Sequence, residues 1–198
     1  MKLVLNYFVP FTNGKFVAQC LMFSDQVEKI VDPVLQLQHD SWNLVEYSDI
    51  DYWWQDHSHD WFNRATWPNY LSERARTSRL YQFYTCHEDY AVRHIQRIVP
   101  QARILTIIPD LELCRRNYQN KNWNRQEPVF EESRVQKEFD AFLPITTDMV
   151  IQQRDLYDQD SFVETMNYLA KSLKIELDLD RVLDYRTRYF QHPKNQQT

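Results

Sequence analysis

The sequence predicts an α/β fold, a three-layer arrangement of a central, mostly parallel sheet with helices on both faces and a helical C-terminal part. Three observations carry that expectation. Short apolar, β-prone runs alternate with segments of helical periodicity along most of the chain. The first such run passes through a Pro-Phe-Thr-Asn-Gly turn into a helix-like segment. The C-terminal region carries two amphipathic patterns in succession.

Taken in order, KLVLNYF, Lys2 to Phe8, reads as a strand, and the segment from Lys15 to about Ser24 as a helix. Its apolar residues Phe16, Val17, Cys20, Leu21 and Phe23 recur at helical spacing. A second helix is expected over Asp25 to Val31, with Pro33 restarting the chain. The acidic, aromatic stretch from Glu46 to Trp67 follows neither period, so residues 40–79 read as an irregular insert or cap. RLYQFYTCH reads as a strand, EDYAVRHIQRIV as a helix and ARILTII as a buried strand ended by Pro109. LELCRRNYQNKNW follows as a helix whose basic side holds Arg115, Arg116 and Lys121.

Beyond a polar linker at Asn124 to Glu127, EESRVQKEFDAFL reads as a helix and DMVIQQRDLY as a strand. DSFVETMNYLAKSLKI is a helix with Asp160 or Ser161 as N-cap and Glu164 at capping-box distance from Ser161. It places Phe162, Met166, Leu169 and Leu173 on one face. DLDRVLDYRTRYF closes the pattern as a last amphipathic helix, in which Tyr185, Tyr189 and Phe190 read as core, and residues 192–198 as a flexible tail.

A chain of 198 residues, 43% hydrophobic and 15% aromatic, suffices for one substantial core, so a single domain is expected. With 23 basic against 28 acidic side chains, the net charge of −5 offers no general attraction to nucleic acid or to anionic lipid. Any anion site must be local. Three cysteines in apolar settings suit reduced thiols and a cytoplasmic location. Neither a signal-peptide pattern nor an apolar run of about 18 residues is present in the sequence, so no membrane partner is expected.

Gly14 is the only glycine, where about 7% would be usual. It lies between strand and helix and is followed by Lys15, a setting in which backbone N–H groups and the helix dipole favour an anion. Left-handed angles at Gly14 would shape such a nest. Thr12 and Asn13 add donors and Lys15 adds charge, which suits phosphate or sulfate. The competing reading is a plain Asn-Gly turn with Lys15 in solvent. A nucleotide-hydrolysing loop is disfavoured, since Val9 stands where its first glycine belongs and Phe16 where its Mg²⁺-binding hydroxyl belongs.

The segment LYQFYTCHEDYAVRHIQRIVPQARILTIIPDLELCRRNYQ, Leu80 to Gln119, resembles the central part of the sulfotransferase family, and the run from Arg154 to Phe190 is similar to that family's helical end. The resemblance is carried by TCH, Thr85 to His87, at a strand end and by the strand and helix that follow. It implies a P-loop-like fold with 3'-phosphoadenosine-5'-phosphosulfate as donor and no metal. His87 would be the base that deprotonates a hydroxyl or amine acceptor, a small molecule or glycan. Thr12, Asn13, Gly14 and Lys15 would bind the phosphosulfate, with Lys15 stabilising the transferring group. Arg115 and Arg116 would hold the 3'-phosphate. This sequence departs from the family pattern in placing its lysine after the glycine. It also has Ile107 where the family's turn has arginine and Arg115 where the family has serine.

Other readings stay open. A non-catalytic scaffold of the same fold, such as a component of a viral or other assembly, would use the Trp-rich segment YWWQDHSHDWF for self-association or partner capture, and a nucleotide kinase is a third reading. His57 and His59 in DHSHD can seed a metal site, though zinc usually takes three or four ligands and the flanking tryptophans suit packing. Cys86 and His87, adjacent on a strand, face opposite sides and form no dyad. Arg74, Arg76 and Arg79 make a basic patch that suits either an anionic substrate or solvent.

Overall fold

The computed structural model describes residues 3–9, 11–29, 81–86, 97, 100–120, 130–142 and 147–191. Strand β1 (Leu3–Tyr7) leads through a short loop into helix α1 (Gly14–Leu21) and then strand β2 (Val27–Lys29). Strands β3 (Tyr81–Cys86) and β4 (Arg103–Ile108) follow, then helices α2 (Leu111–Asn120) and α3 (Glu132–Phe142). Strand β5 (Met149–Gln152) runs into a 3-10 turn (Gln153–Leu156), and helices α4 (Gln159–Leu173) and α5 (Leu179–Gln191) complete the order.

The five strands form one sheet in the order β2-β3-β1-β4-β5, and every pairing is parallel. The α/β class with a parallel sheet is therefore as expected. Parallel neighbours need crossovers, which sends the chain out of the sheet after each strand. From β1 it steps past β3 to β2, returns to β3, and then crosses β1 to reach β4 and β5. The reversal falls beside β1, and in open parallel sheets ligands gather outside the carboxyl ends of the strands at such a point.

Alternation along the strands sorts the two faces. Val4, Leu105, Ile107, Met149 and Ile151 share one core with Phe16, Val17 and Leu21 of α1, Phe162, Met166, Leu169 and Leu173 of α4, and Val182 and Tyr185 of α5. The opposite face sends the Tyr7 hydroxyl to the Glu138 carbonyl of α3 at 3.0 Å, and Cys114, Tyr118, Val135 and Phe139 are buried with it. The predicted apolar stripe of α4 is buried in full, and Tyr185 and Tyr189 are core residues as expected.

Two expected elements differ. The helix over Asp25 to Val31 is instead strand β2, because Val27, Glu28 and Lys29 pair in register with Tyr81, Gln82 and Phe83. That distant pairing outweighs the local pattern. Helix α4 begins earlier than expected, with Asp158 rather than Asp160 or Ser161 as its N-cap. Asp158 is extended and accepts the Ser161 N–H at 2.9 Å, whereas Asp160 and Ser161 are already helical. The expected helix EDYAVRHIQRIV lies outside the described residues apart from Arg97, as do the insert at 40–79, the linker 124–127 and the tail 192–198.

Candidate functional site

The candidate site lies at the carboxyl ends of β1, β4 and β5, where the β1–α1 loop meets α2 and the turn after β5. Helix α1 is almost wholly interior, with Phe16 through Leu21 buried around its circumference. The loop must therefore deliver the chain directly into the core. Asn6, inward on β1, helps by donating to the Gly14 carbonyl at 3.0 Å.

The loop turns through two left-handed residues, Phe11 at φ 71° and Asn13 at φ 63°, while Gly14 has no positive φ. The expectation that Gly14 supplies the left-handed angle is thus corrected. What Gly14 supplies is clearance, since a Cβ at that position would overlap the Phe8 ring. The one glycine serves close packing between strand end and helix start, and the left-handed angles fall on residues with side chains. Left-handed angles at such residues cost about 1–3 kcal/mol each and persist where the surroundings over-determine them.

The surroundings here are two carboxamides. Asn117 Nδ2, on α2, donates to the Phe11 carbonyl at 2.8 Å and to Asn13 Oδ1 at 2.7 Å. Gln153 Nε2 donates to the same two oxygens, at 2.9 Å and 3.3 Å. Gln153 Oε1 in turn accepts the Asp110 N–H at 2.8 Å and the Cys114 thiol at 3.2 Å, so this fully buried amide is satisfied on both sides. The Tyr157 hydroxyl stands 3.0 Å from Asn13 Oδ1 and 2.9 Å from Asn117 Oδ1. Its single proton serves one of them at a time. The clamp holds the oxygens of the two left-handed residues.

Burial sets the ionisation around this clamp. Desolvation lifts the Tyr157 phenol above its ordinary value, against hydrogen bonding from Asn117 and the charge of Arg116, so it remains a donor. The Cys114 thiol is pushed up to about 12, chiefly by burial and further by the Asp110 carboxylate. Cys20 is raised by burial as well. Both thiols are free, and neither has the thiolate character of a nucleophile.

The structure separates the residues singled out in the sequence. Thr12 is buried and its hydroxyl donates to the Val9 carbonyl at 2.8 Å, inside its own loop. Asn13 is held by the clamp and also donates to the Tyr189 hydroxyl at 3.3 Å. Arg115 points outward and pairs with Glu132, both side chains about half exposed. Arg116 lies over the Tyr157 ring at 5.2 Å, and among the described residues its buried Nε has no hydrogen-bond partner. Gly14 and Arg116 thus flank the clamp, while Arg115 does not join them. His87 and the DHSHD, SERARTSR and Trp-rich segments lie outside the described residues, and of Lys15 and Cys86 the backbone alone is described.

Sequence reasoning missed Asn117, Gln153 and Tyr157. The only signal for them was positional, since each follows β4 or β5 at the carboxyl edge of a parallel sheet. Among the described residues, no group of three or more His, Cys, Asp or Glu side chains is placed to hold a metal ion, and no helix is long and apolar enough to cross a membrane. Compared with family models and with curated proteins, the chain matches none.

Proposed function

We propose that this chain is a sulfotransferase-like protein of P-loop-like fold, which binds 3'-phosphoadenosine-5'-phosphosulfate at the β1–α1 loop and transfers its sulfuryl group to a hydroxyl or amine acceptor. The observation that supports it best is the N-terminus of α1. It opens beside the central strand with no side-chain cap, whereas Asp110, Asp158 and Asp178 cap α2, α4 and α5. Uncapped first-turn N–H groups carry partial positive charge and suit an anion. In this reading Gly14 N–H and Lys15 hold the phosphosulfate, His87 is the base, and Arg116 rather than the Glu132-paired Arg115 reaches the 3'-phosphate. The free, buried thiols suit a reducing cytoplasm.

Titration calorimetry with 3',5'-adenosine bisphosphate tests the proposal. The expected result is saturable binding that Lys15→Ala weakens about tenfold, the loss of one charge-assisted contact. Absence of binding to the unaltered protein would overturn it.

A second reading is favoured by the inward turn of the Thr12 hydroxyl and the Arg115–Glu132 pair. These groups are spent internally, as in a non-catalytic scaffold that keeps the fold. Such a protein would self-associate in sedimentation runs, with association lost on changing Trp53 and Trp54. A monomer that turns over the donor would exclude it.

A further inference from the structure

The sheet has two edges, and their sequences differ in kind. At one edge β2 includes Glu28 and Lys29, residue types that discourage an exposed strand from pairing with another chain. At the other edge β5 reads Met149-Val150-Ile151-Gln152, with neither a charge nor a proline, and among the described residues it has a strand on one side only. Asp148 N–H donates to the Ile104 carbonyl of β4 at 3.0 Å. Backbone groups alternate in direction along a strand, so those of Val150 and Gln152 also face β4, while the N–H and C=O groups of Met149 and Ile151 point away from the sheet. Val150 and Tyr168 are the two large hydrophobic side chains exposed among the described residues, at 41% and 43%. One lies on β5 and the other on α4, the helix packed against it.

We infer that β5 is an association edge for a second copy of this chain: two β5 strands pair antiparallel about a two-fold axis at Val150 and join the two sheets into one. Within the strand, this register alone uses both outward-facing residues. Met149 of each copy lies opposite Ile151 of the other and exchanges two hydrogen bonds with it, so the four outward backbone groups of each β5 are satisfied. A shift of one residue would set core-face side chains against outer-face ones. A shift that puts Ile151 opposite itself would need Gln153, which is buried and bonded to the Phe11 carbonyl. The two Val150 side chains meet across the axis as a non-hydrogen-bonded pair, the closer kind, and lose their exposure. Gln152 of each copy stands opposite Asp148 of the other, where an amide can donate to a carboxylate. A second copy is the occupant because the match is reciprocal, the same short strand supplying both halves of it. An interface of this size gives a weak, concentration-dependent dimer. None of the residues proposed to hold the donor lies on β5, so the inference stands apart from that reading.

Sedimentation velocity of the full chain over a concentration series is expected to show a monomer–dimer equilibrium. Val150→Lys sets like charges directly opposite each other and is expected to weaken dimerisation about tenfold, while its exposed position leaves the circular dichroism spectrum unchanged. Val150→Cys reads the register. Residues opposed in a non-hydrogen-bonded pair lie about 4.5 Å apart at Cα, within disulfide reach, so mild oxidation is expected to link each Val150→Cys chain to its copy. Gln152→Cys lies on the same face but four residues along the strand from its own copy, about 13 Å, and is expected not to link. The parent chain, whose Cys20 and Cys114 are buried, gives the background. Should Val150→Lys fail to fold, the two cysteine variants decide. A chain that stays monomeric and forms no Val150→Cys link would overturn the inference, as would a dimer that survives Val150→Lys, or a Gln152→Cys link as efficient as that at Val150. A dimer lost on changing Trp53 and Trp54 but not Val150 would also overturn it, and would give self-association to the Trp-rich segment instead.

Discussion

Helices α1 and α4 lie against each other in one core, with the rings of Phe16 and Phe162 5.7 Å apart, yet they begin in opposite ways. The start of α4 obeys local rules: an extended aspartate caps it, its side chain accepts Ser161 N–H, and its apolar stripe follows a single face. The start of α1 breaks them. Its N-cap residue is left-handed, its side chain serves other segments, and its first residue is a glycine chosen for clearance from Phe8. Places where local rules fail while the fold holds are where strain or function is concentrated. The contrast therefore marks the α1 entry as a place where contacts between distant segments override the local rules.

The largest expected effect concerns what the two helices share. Phe16 is fully buried, with the Tyr189 ring tilted against it at 4.5 Å and the Tyr185 ring stacked on it at 5.6 Å, so Phe16→Ala should cost about 4 kcal/mol. Urea denaturation should show both helices lost in one lowered transition; separate transitions would mean that α1 and α4 do not depend on a common core. Next comes Gly14→Ala, which exchanges a poor helix former for the best one and still should destabilise, by about 2 kcal/mol, because the added methyl meets the Phe8 ring. A Gly14→Ala variant as stable as the parent would show that the α1 entry follows propensity after all.

The smallest effect belongs to the exposed α4 cap. Hydrogen bonding from Ser161 N–H holds the Asp158 carboxyl below its ordinary value. A depressed folded-state value means that the carboxylate's contribution is present above the ordinary carboxylate range and lost as pH falls through the depressed one. Asp158→Asn should therefore be slightly less stable than the parent at neutral pH, and the two melting curves should converge as pH drops below about 4. A gap that persists in acid would show that the cap acts through geometry and not charge.

Much of the fold was legible because its signals are local. ARILTII could be recognised as a buried strand from its unbroken apolar run, and Phe162, Met166, Leu169 and Leu173 as a buried face from helical spacing alone. Strand β2 was not legible, since three residues carry too little pattern to outweigh a helical reading until Tyr81 to Phe83 pair with them. The site was legible only at one end. A lone glycine between strand and helix pointed to the right loop, but the role of that glycine depends on Phe8, and the role of Asn13 depends on residues 104 to 144 positions further along.

By itself the sequence determined the parallel α/β class, the buried faces of β4 and α4, and the position of the loop between β1 and α1, because periodicity, turn residues and flanking apolar runs act between near neighbours. Only the tertiary structure decided that Gly14 supplies clearance while Phe11 and Asn13 take the left-handed angles, and that Asn117, Gln153 and Tyr157 converge on them. Those outcomes rest on contacts between segments distant in sequence, and a carboxamide has no preferred partner until the fold brings one within about 3 Å.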